Sequence, residues 1–313
     1  EEEASKERQF NIARCALRVR KIGTDLISLA GGQFIHPVKA VVGGVTSGID
    51  REKADTMVQA LTEQIPVASA LVEDYWEMSM ALRDRIGTWG DDAPTHYLTS
   101  TGEYGLELNS HLLRVMDGEG NDAESFDPNE YEERLEVRES RYSYAGESSY
   151  KGGILRANSL ARINMTKKLG TPIADGYLRR FRKVFGQPAH AILLFDLCRG
   201  IELVYAMERV REMLMEPLDC CEPQVGYTPR DGVGYGLVEA PRGPLIHRYT
   251  VERGLITNAA FVIPTAHNMQ AIRRALMVVS KRYISPAGIN LELEKAVGRV
   301  VRAFDPCIAC ATQ

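Results

Sequence analysis

The chain of 313 residues has no apolar run long enough to cross a bilayer, no surplus of either charge and few cysteines. Stretches such as residues 191–195 fall far short of the roughly 20 apolar residues a spanning helix needs. Lys plus Arg number 38 against 42 Asp plus Glu, a net charge of −4, and with a pI near 6.0 this argues against a polyanion-binding protein. Six cysteines in this length exclude a disulfide scaffold. No Walker loop occurs, and no strand leads into G-x-G-x-x-G, which removes the common nucleotide folds. There is no internal repeat, no low-complexity linker and no clean boundary, so one large domain over residues 1–313 is expected. The chain opens on Glu1-Glu2-Glu3, with neither an initiator methionine nor a signal-like apolar stretch, the pattern of a fragment or a processed product.

What is present is the mix of a globular protein, 44% hydrophobic and 26% charged. Residues 4–30 keep helical spacing through Phe10, Ala13, Leu17, Ile22 and Leu26, and Gly31-Gly32 should stop them. Asp50 is a plausible N-cap for a long helical stretch over 51–86, which Pro66 should kink or divide. Residues 88–104 suit short strands and turns, and 117–153 read as a long irregular surface excursion. Helix is expected over 155–168 and 173–185. In the clearest helix, 190–215, Leu194, Leu197, Ile201 and Val204 share one face. Three strands should follow at 234–238, 245–251 and 255–262, with Glu252-Arg253-Gly254 as a tight turn. Helices over 269–283 and 291–303 then lead to Phe304-Asp305-Pro306-Cys307. The expected class is mainly α with a small antiparallel β region, α+β.

Chemistry is concentrated at few places. Cys307-x-x-Cys310 has the spacing of a metal-ligand pair, because one turn points both sulfurs to the same side and thiolates bind soft metals. The alternative is a plain dithiol, since a zinc or iron–sulfur site needs about four ligands and there is no second C-x-x-C. Asp305 and Pro306 sit where a carboxylate could orient donors and a proline could fix the approach. Arg242, in Pro241-Arg242-Gly243, is either a solvent-facing arginine or a guanidinium held toward an anionic ligand. His36, His247 and His267 read as structural, Gly152-Gly153 as a turn, and Cys220-Cys221 as loop residues.

Taken in order, these segments resemble the large subunit of a nickel–iron hydrogenase, over residues 13–313. The end of the chain, Asp305-Pro306-Cys307-Ile308-Ala309-Cys310, fits that family's D-P-C-x-x-C signature. Glu239-Ala240-Pro241-Arg242-Gly243 fits its E-A-P-R-G stretch, followed by Pro264-Thr265 and His267-Asn268. Gly31-Gly32-Gln33-Phe34-Ile35-His36-Pro37 with Gly43-Gly44, and Ser159-Leu160-Ala161-Arg162, complete five matches in sequence. The resemblance implies a large-subunit-like helical bundle that cleaves H2 heterolytically and reversibly at a Ni–Fe(CN)2(CO) centre. It implies that Cys307 is a terminal thiolate on nickel and that Cys310 bridges nickel and iron. Arg242 would bond a cyanide and assist H2 cleavage, with Asp305 orienting it, and Pro241 would line the same side. Thr265, and the backbone near Pro264, would donate to the second cyanide. A magnesium or ferrous ion near the C-terminus would take Gln313 and a backbone carbonyl at Phe261.

The same resemblance implies an obligate iron–sulfur small subunit, further electron-transfer subunits, no cluster in this chain, no nucleic acid, no transmembrane segment and a cytoplasmic location. Two departures stand out. The family's R-x-C-G-x-C motif, which supplies two more thiolates, has no counterpart here, and Cys15 lies in a helical segment without a partner at the right spacing. Its absence suggests that those donors lie upstream of Glu1 or on another polypeptide. The residue at 313 is Gln where the family usually has His. The end at Gln313, three residues past Cys310, matches the site at which the family's maturation protease trims its tail. A non-catalytic relative, such as the quinone-module subunit of respiratory complex I, is the alternative, and retention of Cys307 and Cys310 argues against it.

Overall fold

Paired glycines end the first helix, α1 (Glu2–Gly31), because Gly32 takes a left-handed φ of +88° that costs a side chain dearly. A two-residue ladder, β1 (Ala40–Val41) and β2 (Gly44–Val45), then precedes α2 (Arg51–Ala81). Asp50 starts α2: its carboxylate accepts the Lys53 N–H at 3.0 Å, the N-cap bond that satisfies an orphan donor. Helix α2 buries Ala54, Leu61, Ile65, Ala68, Val72 and Trp76 along one stripe. It runs undivided through Pro66. Proline removes one backbone bond there, and the packed residues on either side keep the helix continuous.

The structure is a computed structural model and describes residues 2–102, 104–140, 144–218, 222–286 and 288–311. After α2 come α3 (Arg83–Ile86), β3 (His96–Thr99), β4 (Leu113–Met116), β5 (Asp122–Phe126), α4 (Tyr131–Arg134), β6 (Leu135–Glu139), β7 (Gly146–Tyr150) and β8 (Gly153–Arg156). Helices α5 (Ser159–Met165), α6 (Pro172–Phe185) and α7 (Phe195–Met215) follow. The last part holds β9 (Gly232–Ala240), β10 (Gly243–Glu252), β11 (Leu255–Val262), α8 (Pro264–Tyr283), α9 (Leu291–Phe304) and α10 (Ile308–Ala311). About 51% of the chain is helix and about 21% strand, which is mixed α+β.

The chain divides into two compact units, one of Glu1–Met78 with Gly200–Pro229, the other of Ser79–Arg199 with Arg230–Gln313. In the first, the Gly43-Gly44 turn lies against the segment after residue 222. Val45 N–H donates to Pro223 O at 2.8 Å and Val225 N–H to Gly43 O at 3.0 Å. A Cβ on either glycine would collide with the carbonyls of Val225 and Pro223, so this backbone approach requires glycine.

The second unit is built on a six-stranded sheet of order β5-β4-β3-β8-β7-β6, beside a three-stranded meander β11-β10-β9. Its pairs are antiparallel except β3 with β8. One apolar cluster joins the two sheets: Leu98, Leu113, Val115, Phe126, Leu135, Tyr150 and Leu155 from the larger, Ile246 and Val262 from the smaller. The meander follows the expected strands, and Arg253 and Gly254 both take positive φ in its second turn, as a two-residue type I′ hairpin requires. Residues 117–153 differ from expectation. They are no surface excursion but contribute β5, β6 and β7 to the large sheet. Two expected helices also begin later, residues 153–156 being strand β8 and residues 192–194 a 3-10 turn ahead of α7.

Candidate metal centre

Helix α9 ends at Phe304, whose ring is buried. Asp305 caps it in the left-handed region, φ 47°, with its N–H on Val301 O at 2.9 Å. Pro306 cannot continue the helix, so the chain turns and brings Cys307 to the start of α8. There the Cys307 N–H donates to Thr265 Oγ1 at 3.2 Å. The single turn α10 follows, closed by Ala311 N–H to Cys307 O at 3.2 Å. Ala311 packs against Ile263, Ala266 and Ala145. This one turn places the Cα atoms of Cys307 and Cys310 5.4 Å apart, and the two sulfurs are joined as a disulfide.

Opposite this segment stands the first hairpin of the meander. Ala240 pairs with Gly243, leaving Pro241 and Arg242 as its two-residue tip. The Arg242 guanidinium reaches the C-terminal segment twice, from Nε to the carbonyl of Asp305 and from a terminal nitrogen to Asp305 Oδ2 at 2.6 Å. Both side chains are partly exposed, so the pair contributes little stability but fixes a direction. Asn268 fastens the surroundings: its Nδ2 donates to Arg242 O at 3.1 Å and Pro264 O at 3.2 Å, while its Oδ1 accepts from Ala157 N–H at 3.0 Å. Asn158, next along, donates to Phe304 O at 3.0 Å.

Gly243 carries the close approach. Its φ is +130°, and a Cβ would lie 2.5 Å from the Ala157 Cβ. Gly243→Ala is therefore expected to cost about 3 kcal/mol, summing the strain of a positive φ and overpacking. Thermal unfolding measures it, and a cost below about 1 kcal/mol would contradict the packing described.

His267, fully buried on α8, donates from Nε2 to Pro244 O at 3.1 Å, since a carbonyl only accepts. Its Nδ1 therefore accepts the Ser148 hydroxyl at 2.7 Å. Burial pushes its pKa down to about 4, against the opposing pull of the Pro244 carbonyl. Between the ordinary value of 6.5 and about 4, the unfolded chain binds a proton that the folded chain refuses. Stability is thus intact above the upper value and declines as pH falls through that window. From pH 7 to 5 the expected loss from this group is about 2 kcal/mol. Urea unfolding of wild type and His267→Gln at both pH values isolates it, and equal slopes would contradict it.

Of the residues singled out in the sequence, the structure brings together Pro241, Arg242, Pro264, Thr265, Asp305, Cys307 and Cys310. Phe261 lies on β11 opposite His247, its ring 4.6 Å from the imidazole centroid. Gln313 and Cys220-Cys221 lie outside the described residues. His36, with the Gly31–Pro37 loop, belongs to the first compact unit. Residues less evident in the sequence include Ser100, Asn158 and the clamping roles of Arg162 and Asn268, all polar and buried.

Residues 111–313 match the family described as nickel-dependent hydrogenase. The chain belongs to that family. Among hydrogenase relatives, one polypeptide of the F420-non-reducing hydrogenase vhc of Methanococcus voltae is 30% identical over 97% of this chain and 66% of its own length. The beta subunit of the NAD-reducing hydrogenase HoxS of Cupriavidus necator is 28% identical over 96% of this chain and 65% of its own. The chain thus spans about two thirds of the length of these relatives. The crystal structure of an NAD+-reducing [NiFe]-hydrogenase in the H2-reduced state superposes with a TM-score of 0.89 at 27% identity, covering 99% of this chain and 70% of that one. A [NiFeSe]-hydrogenase of Dm. baculatum shares the fold, with a TM-score of 0.71 at 19% identity over 99% of this chain and 70% of that one.

The hydrogenase family implies a nickel–iron centre, and the donor set here fits half of one. Two thiols meet at one point, a soft pair suited to nickel and iron once reduced to thiolates. Among the described residues no group of three or more His, Cys, Asp or Glu could hold a metal. Asp305 is engaged by Arg242. Cys198 is buried, with no disulfide, and Cys15 belongs to the first unit. No helix among the described residues is long and apolar enough to cross a membrane.

Proposed function

We propose that this chain is the catalytic large subunit of a nickel–iron hydrogenase and cleaves H2 reversibly into protons and electrons. The observation that carries this reading is the convergence of two separate segments on the C-terminal cysteine pair. The α8 start binds Cys307 through Thr265, and the hairpin tip binds Asp305 through Arg242. Cys307 and Cys310, as thiolates, would hold the metals, with two further sulfur donors from beyond the residues described. The bound centre supplies the electron-pair acceptor that H–H heterolysis needs.

This chain's residues then manage charge and protons. A thiolate of the pair would take the released proton, with the Arg242 guanidinium assisting through its fixed donors. The Thr265 hydroxyl accepts from the Cys307 N–H, and its own proton would be donated to a cyanide of the bound centre. The α8 N-terminus at Pro264 adds partial positive charge to the same place. Arg242 would offer fixed donors to the other cyanide, with Pro241 setting the tip and Asp305 holding the guanidinium in direction. Electrons pass to an iron–sulfur small subunit, and both compact units act within one large-subunit domain. A second ion, magnesium or ferrous, would take the Phe261 carbonyl and Gln313, which lies outside the described residues.

Isotope exchange tests the reaction directly. A purified complex containing this chain should convert D2 in light water into HD, because heterolysis releases one deuteron to solvent. Absence of HD from reduced complex would refute the reading.

A further inference from the structure

Behind the hairpin tip lies an ion pair that no solvent reaches. Arg162 on α5 is 3% exposed and Glu239, the penultimate residue of β9, is 5% exposed. The Arg162 guanidinium donates to Glu239 Oε1 at 2.8 Å, to Ala240 O at 3.3 Å and to Pro241 O at 2.9 Å. Glu239 Oε2 accepts both the N–H and the hydroxyl of Ser100, each at 2.8 Å. The carboxylate is thus satisfied on both oxygens, and the guanidinium is held in one plane.

The two carbonyls so gripped are those immediately before Arg242. The carbonyl of Arg242 itself is held by Asn268 at 3.1 Å, and Gly243 beyond it rests on Ala157, two residues ahead of α5. The carbonyls of the tip are therefore tied to α5 through Arg162 and to α8 through Asn268, while the Arg242 side chain is left to reach Asp305. A buried ion pair stabilises a fold poorly compared with apolar packing. Its value here is geometric: a planar fork binds two carbonyls at a fixed angle, which a point charge such as lysine cannot reproduce.

We propose that Arg162, held by Glu239 and Ser100, is a positioning residue that sets where Arg242 stands beside the Cys307–Cys310 segment. The inference rests on the reading of Arg242 as an active-site group. It predicts that Arg162 acts on turnover through Arg242.

The test is a double-mutant cycle in the purified complex with Arg162→Lys, Arg242→Lys and the pair, alongside amide exchange at Ala240, Arg242 and Gly243, the N–H groups of segment 240–243. Arg162→Lys should lower kcat about 100-fold, the loss expected from misplacing a catalytic group by about 1 Å. KM for H2 and nickel content should stay near wild type. In the Arg242→Lys background the same substitution should change kcat less than about twofold, since coupled groups are not additive. Amide exchange at 240–243 should quicken about tenfold or more in Arg162→Lys and not in Arg242→Lys. Losses that multiply in the double variant, loss of nickel, or unchanged exchange would overturn the proposal. Should Arg162→Lys fail to fold, Glu239→Gln, which keeps the shape and loosens the grip, must give the same pattern. If wild-type complex turns over no H2, the hydrogenase reading fails, while the exchange comparison still decides the clamp.

Discussion

Cys310→Ser strips nickel from the complex and abolishes H2 turnover, while the chain still folds. The expectation follows from donor chemistry. Serine matches cysteine in shape, but its oxygen is a hard, neutral donor at physiological pH, whereas thiolate is soft and readily formed. Cys310 is exposed on the short α10, so its replacement removes no core contact. Under reducing conditions the variant should unfold within about 0.5 kcal/mol of metal-free wild type, the usual range for a surface change. Elemental analysis for nickel and the D2 exchange assay read the two effects separately. Wild-type nickel and exchange in Cys310→Ser would contradict its place as a ligand.

Arg242→Lys gives the second large effect, a fall in turnover of about two to three orders of magnitude with the metals retained. That is the range found when one fixed donor is lost from a charge-stabilising site. The substitution preserves the positive charge and most of the stem. It removes the fork that bonds both the carbonyl and the carboxylate of Asp305. Lysine has three donors on a freely turning head, so it cannot hold one direction toward Asp305 and another toward the metals. Nickel content matching wild type, with kcat reduced and KM little changed, is the expected pattern. Unchanged kcat would remove Arg242 from the chemistry.

The parts of this molecule that are legible in the sequence are those whose signals are local. The meander is punctuated by Gly, Pro and a tight turn at Arg253-Gly254. Helices α8 and α9 have apolar stripes at helical spacing, and α1 stops at paired glycines. The segments of the candidate site come as ordered motifs, and the structure sets Pro241-Arg242, Pro264-Thr265 and Asp305 to Cys310 beside one another.

Strand β7 is hidden because its interior is polar. Glu147, Ser148 and Ser149 are all buried, and each is satisfied by a distant side chain. Glu147 takes Arg138 at 2.9 Å and Arg273, Ser148 takes His267, and Ser149 takes Glu136 at 2.9 Å. Buried polarity of this kind erases the hydropathy alternation on which strand recognition depends. Strand β8 reads as helix in the sequence because Ile154 and Leu155 run into the apolar face of α5 with one short loop between them. The clamp is hidden by distance, since Arg162 and Glu239 are 77 residues apart and no pattern of spacing joins them.

On the proposed reading, Cys307 and Cys310 hold nickel in a working hydrogenase. The most direct test of that reading is nickel stoichiometry on the purified complex, taken together with the infrared spectrum of the same sample. Nickel is expected in equal amount to this chain, with bands from carbon monoxide and cyanide bound to iron. Active-state complex with no nickel and none of those bands would contradict it.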